Sequence, residues 1–326
     1  MKHLREARLN PQVVARPMGD WTETPALGVQ IPTTTDYLAG FARAAMQTLS
    51  PSSVRGFFRE LDKNDRVLSR LGWALLLAVP VFAAFAFFVP ATSAFGLATG
   101  VNPWIKPIKF SMSFSTFAST VSLLLLALQI PKWQLTLARR AIATSVALEI
   151  LSLGAQAWRT AHHLSGHSLL DSCLAQITNS MVMVNTAIVC WMLVLFCAHR
   201  VHMNLVDSPM VSAIRYSIVI FLAGNAIGGY MLARGSHTVG TADGGPGLPF
   251  VNWSTVGGDL RIAHFISIHA IQIIPLFAYI LSQMAPIPTV KHRRIAAGAL
   301  AVAVSIAVGA TFVQAALGHP LIPWVR

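Results

Sequence analysis

Residues 141–163 read AIATSVALEILSLGAQAWRTAHH. The run is apolar and long enough to cross a bilayer core as a helix, yet it carries a carboxylate near its middle. At roughly 100° per residue, Glu149, Ser152, Gln156, Arg159 and His163 fall within an arc of about 80°. They form one polar stripe about 21 Å long. Trp158, His162, Leu148, Leu151 and Leu153 lie off it. An ionisable group at bilayer depth needs a proton or a partner, so this face must turn toward other helices or a wet cavity. Glu149 then either relays protons between mid-membrane and the outer surface or acts as glue, protonated and bonded to a facing Ser or Asn.

Working outward, six further apolar runs resemble this one in length: roughly 72–98, 108–130, 177–199, 211–234, 262–284 and 294–318. The whole chain is 54% hydrophobic and 11% charged, with a mean hydropathy of +0.60. These values exclude an ordinary soluble domain and predict an all-α fold, a bundle of seven transmembrane helices. Residues 1–70 show no charged segment followed by an apolar core and cleavage site, so the first span is expected to be permanent. Cys173, Cys190 and Cys197 form no CxxC pair and read as packing residues.

The net charge of +12 would suit nucleic acid, but its distribution points elsewhere. With the N-terminus in the cytoplasm, 18 of the 24 Lys and Arg residues fall on the inner side. That asymmetry is what the positive-inside rule expects of seven helices with the C-terminus outside. The expected location is a bacterial inner membrane, with the lipid bilayer as partner and no nucleic acid. Residues 1–70 form a basic cytoplasmic tail and 71–326 the membrane domain. Within the tail, Tyr37, Leu38, Phe41, Ala45 and Leu49 share a face, and the run after Pro51 is helical in pattern and basic. Both read as amphipathic helices on the inner membrane surface.

The other spans show packing patterns. Ser111, Ser115, Ser119 and Ser122 make a small-residue seam, as do Ala297, Ala301, Ser305 and Gly309. Gly224 and Gly228 form a GxxxG pair. The longest outer loop, 235–261, is rich in Gly and Pro and predicts turns, with Asp259 as the N-cap of the sixth span.

Seven of the eleven histidines lie on the outer side in this topology. The leading expectation is a cofactor-dependent redox or electron-transfer protein holding haem b or a divalent transition metal in an outer-facing pocket. His163 and His269 are the first ligand candidates, for either a haem or a metal. His264 can replace either of them, and His319 is a further substitute for haem. His264 and His269, five residues apart, point about 140° away from each other, so any ligand pair must join different helices. Lys106, Lys109 and Arg261 would meet an anionic group such as a haem propionate; Arg159 and Glu149 are the catalytic candidates. The same pocket would suit an acidic or quinone-like lipid-soluble substrate. Two other readings stand beside it: a proton-coupled transporter or channel using the stripe from Glu149 to His163, and a non-catalytic scaffold.

At NPWIKPIKF (102–110) and GGDLRIAHFISIHAIQ (257–272) the chain resembles a group of uncharacterised polytopic bacterial membrane proteins. The resemblance implies a membrane fold and supplies no activity. Microbial rhodopsins are set aside because residues 294–318 hold no retinal-linking lysine. Seven-helix zinc hydrolases use a late HxxxH pair, and here HFISIH is one residue too long.

Overall fold

The computed structural model describes residues 34–88, 102–162, 168–284 and 288–323. Two shorter helices, α1 (Thr34–Thr48) and α2 (Pro51–Asn64), precede seven longer ones. These are α3 (Arg66–Phe88), α4 (Ile105–Ala127), α5 (Lys132–Ala161), α6 (Leu169–Cys197), α7 (Ser208–Arg234), α8 (Leu260–Ser282) and α9 (Val290–Ala316). Between α7 and α8 a two-residue strand, β1 (Thr238–Val239), pairs antiparallel with β2 (Gly258–Asp259). All seven of the longer helices are apolar and long enough to cross a membrane, as the hydropathy pattern predicts.

The pattern of burial suits lipid as the solvent. Leu77, Phe87, Leu151, Val302 and Ile306 are exposed, whereas Ser111, Ser145, Glu149, Ser217 and Ser267 are buried. In water that arrangement would expose far more apolar surface than a soluble monomer tolerates. In a bilayer it turns the polar groups inward, where Ser145 and Glu149 bond a neighbouring helix and Ser217 and Ser267 bond carbonyls of their own helices.

Some helices outlast their apolar runs. α3 starts at Arg66 because Asp65 caps it, its carboxylate accepting from the Leu68 amide at 3.1 Å. The same carboxylate accepts from Ser122 of α4 at 2.8 Å and pairs with Arg139 of α5 at 2.8 Å. α5 in turn starts at Lys132, so its first turns carry charge. One buried aspartate therefore ties three spanning helices together at the end of the bundle that bears α1 and α2.

Further contacts close that tail end. Val201 bridges to Leu128, the Gln129 amide donates to the Arg200 carbonyl at 2.8 Å, and Arg215 donates to the carbonyl of Phe196 at the end of α6. Arg293 at the start of α9 pairs with Asp207 at 2.6 Å. α1 buries Ala44 against Ile280, Leu281 and Met284, with the Phe41 and Phe277 rings 5.5 Å apart. α2 sets Phe58 against Trp73 of α3.

The serine seam and the first half of the alanine seam pack as their spacing predicts, whereas Ser305 and Gly309 of the latter are exposed. Ser115 donates to the Gly72 carbonyl at 2.9 Å, bringing α3 and α4 close. Ala297 and Ala301 are buried among Ala213, Ala270 and Ala278, which packs α9 onto α7 and α8. A larger core joins α3, α4, α5 and α6 and accepts Ile214, Ile218 and Phe221 from α7. Phe221 stacks on Phe117 of α4, with ring centroids 5.8 Å apart.

Candidate functional site

The loop between α7 and α8 folds around two aspartates. Asp243 accepts from the Ser236 hydroxyl at 2.9 Å, the Thr238 amide at 3.0 Å and the Thr238 hydroxyl. Asp259, 1% exposed, caps α8 through the Arg261 amide at 3.0 Å, as its position predicts, and accepts from the Ser254 amide at 2.8 Å. The Arg261 guanidinium lies on the same carboxylate at 2.6 Å and also donates to the Asn252 carbonyl. β2 sits so close to α9 that a Cβ on Gly258 would overlap the Ala315 carbonyl. The predicted turns are present, and they are laced into a cap over this end of the bundle.

The start of α4 meets that cap. Lys109 donates its ammonium to the Val251 carbonyl at 3.2 Å, and the Lys106 ammonium lies 5.8 Å from the Phe110 ring centroid. The two stretches 102–110 and 257–272, far apart in sequence, therefore border one corner. Arg261 there is neutralised by Asp259. Among the described residues neither Lys106 nor Lys109 makes an ion pair. His237 joins the group, its Nδ1 3.4 Å from Asp243 and 4.0 Å from Asp259. Burial and the positive charge of Arg261 nevertheless hold its pKa below the usual imidazole value, outweighing both aspartates. Burial works against Asp243 too, but the donors from Thr238 and Ser236 prevail and hold its pKa below the usual carboxylate value.

The described histidine candidates each have neighbours of their own. His264 places Nδ1 2.8 Å from the Gly224 carbonyl and packs its ring where Gly228 leaves room, so it fastens α8 to α7. His269 faces elsewhere, its ring edge-on to Phe265 at 4.5 Å. His319 is exposed, and its carbonyl accepts from Gln314. His163 lies outside the described residues. Among the described residues no group of three or more His, Cys, Asp and Glu side chains is placed to hold a metal ion. The described residues thus offer no such cluster, and His163, the first ligand candidate, is not among them.

The polar stripe of α5 faces α6 along its whole described length. Nearest the loop end, Arg159 pairs with Asp171 at 2.6 Å and donates to Ser168 at 3.0 Å. One turn deeper, Gln156 lies 3.4 Å from the Thr178 hydroxyl, and a further turn down Ser152 donates to the Leu174 carbonyl at 2.7 Å. At the foot of the seam Glu149, fully buried, accepts from Asn185 at 2.8 Å, and Asn185 in turn bonds Ser145 at 2.6 Å. The stripe has turned to another helix, and Arg159 is held in an interhelical ion pair.

Two polar centres escape the reading from sequence. Asp65 follows an amphipathic run, and Asn64-Asp65 just before an apolar stretch is an N-cap signal. Asp243 precedes Gly244 and Gly245, a turn signature. Either could have been found locally, but their distant partners could not. Compared with protein-family models, with curated proteins and with solved structures, the chain matches none.

Proposed function

We propose that the corner formed by the start of α4 and the α7–α8 loop binds the anionic group of a membrane-soluble ligand at the outer face of a bacterial inner membrane. The orientation rests on the distribution of Lys and Arg, which puts the N-terminus inside and this corner outside. The observation that carries the reading is the contrast among its cations: Arg261 pairs with Asp259, whereas among the described residues Lys109 donates to a carbonyl, Lys106 lies by a ring, and neither makes an ion pair. An ammonium has three donors, so Lys109 keeps two for a ligand. The fitting chemistry is an acidic headgroup, or an acidic quinone-like molecule, lying at headgroup depth. A haem would bring propionates to the same lysines, but His264 is bonded to the Gly224 carbonyl and His269 packs on the Phe265 ring. Plain interfacial anchoring of the two lysines is the competing account, and it predicts no saturable site.

The test is thermal denaturation of the detergent-purified protein titrated with dodecyl phosphate, with dodecyl trimethylammonium as the control of opposite charge. Saturable stabilisation by the phosphate alone is expected, lost in Lys106→Gln/Lys109→Gln. Equal stabilisation of the double variant would overturn the reading.

A further inference from the structure

In the deepest polar cluster the hydrogen bonds can be drawn in two ways on the same heavy atoms, one for each protonation state of a carboxyl group. In the first, the Ser145 hydroxyl donates to the Asn185 carbonyl oxygen across 2.6 Å, and the Asn185 amide donates to Glu149 Oε1 across 2.8 Å. This set serves a carboxylate. In the second, the Asn185 amide is turned over. The Ser145 hydroxyl then donates to the Ile142 carbonyl, 3.0 Å away, and its oxygen accepts from the Asn185 amide. The Asn185 carbonyl oxygen now accepts from a protonated Glu149. This set serves the neutral acid. An amide and its reverse occupy the same space, so passing between the two requires no repacking.

We propose that Ser145, Asn185 and Glu149 form a membrane-embedded proton-binding site in which the Asn185 amide turns over with the protonation state of the carboxyl. The proton comes from the aqueous phase, adds to the Glu149 carboxylate and returns to it on release; no other bond changes. Glu149 Oε2, buried and without a hydrogen-bond partner among the described residues, marks this as more than a fixed interhelical bond. A neutral acid tolerates a bare carbonyl oxygen there far better than a carboxylate tolerates a bare anionic one. A glutamine would do the same fastening without any ionisable group. The turns of the seam above it carry Ser152, Thr178 and Gln156, polar groups leading to the loop end.

The helices packed against α5 leave the site to itself. Their ionisable groups are Arg66 and Arg70 in α3, Lys106 and Lys109 in α4, and Asp171, Cys173, Cys190 and Cys197 in α6. The charged ones stand near helix ends, and the three thiols are exposed. None makes a described hydrogen bond or ion pair with Glu149.

Infrared difference spectroscopy of the whole protein in lipid nanodiscs, titrated with pH, tests the site. The expected result is a protonated-carboxyl carbonyl band that grows as pH falls, is absent in Glu149→Gln, and moves in step with an amide carbonyl band absent in Asn185→Leu. A band that does not change with pH, or that survives in Glu149→Gln, would overturn the proposal. Should either variant fail to fold, dicyclohexylcarbodiimide labelling of the wild-type protein decides. Labelling mapped to Glu149 and rising at lower pH supports the site, and an unlabelled Glu149 rejects it.

Discussion

Lys109, in the first turns of the second spanning helix, donates to the carbonyl of Val251, 142 residues further along the chain. That bond makes the loop cap and α4 two walls of one corner. If the corner binds an anion, removing either lysine should weaken dodecyl phosphate binding by about tenfold, or ~1.4 kcal/mol. Titrations at rising ionic strength check the electrostatic origin, since screening shortens from about 10 Å at 0.1 M to 3 Å at 1 M. Affinity should fall with salt in the wild type and much less in the double variant.

His237 makes the loop cap sensitive to mild acid. Its pKa in the folded protein lies below the usual 6.5, because of burial and then Arg261. The unfolded chain therefore binds a proton first as pH falls through 6.5, and the folded state loses stability over that interval until the folded imidazole also titrates. Denaturation midpoints measured between pH 7.5 and 5.5 should decline in the wild type and flatten in His237→Gln. Asp243 works in the same direction and lower down: its lowered pKa contributes stability above the usual carboxylate value, lost as pH falls through the folded one.

Gly224 and Gly229 separate packing from propensity on one helix. A Cβ at Gly224 would lie 2.9 Å from Ser267 Cβ and 3.1 Å from Ile268 Cγ2, while at Gly229 nothing stands within 4 Å. Gly224→Ala should cost about 1–3 kcal/mol through forced separation of α7 and α8. Gly229→Ala should be neutral or up to about 1 kcal/mol stabilising. Unfolding in mixed micelles measures both.

The Asp65–Arg139 pair should prove the most sensitive contact at the tail end. Asp65→Ala leaves Arg139 with no carboxylate in a half-closed site and removes the cap of α3, a loss of about 3–5 kcal/mol. Asp65→Asn/Arg139→Gln should recover part of it. A double-mutant cycle reads the coupling, and additive single effects would show that the two side chains act independently.

His264→Ala distinguishes a fastening histidine from a ligand. Interhelical hydrogen bonds in membranes average about 0.6 kcal/mol, and a change of that size with an unaltered absorption spectrum is expected. A Soret band in the wild type that vanishes in His264→Ala or His269→Ala would restore the haem reading.

The number of spans, the cap at Asp259, the serine seam against Gly72 and the existence of a polar face on α5 were all legible in the sequence. Each depends on local spacing, which determines which residues share a face. Spacing says nothing about which helix that face will meet. Asn185 stood among several polar residues in the fourth span, and only tertiary packing selects it as the partner of Glu149. His264 looked like a ligand candidate because its residue type suits one, yet the nearby glycines of α7 let it reach a carbonyl instead. The ion pair of Asp65 crosses three helices and has no local signature beyond its cap.

The Glu149–Asn185 bond also bears on how the chain is made. Synthesis reaches Glu149 36 residues before Asn185. Throughout that interval the third span carries its carboxyl with no partner, and a lone ionisable group at mid-bilayer adds a few kcal/mol against insertion. The fourth span brings Asn185 to the carboxyl and Asp171 to Arg159 together. In biogenesis, then, α5 and α6 are one unit, a helical hairpin whose second arm makes the first soluble in lipid.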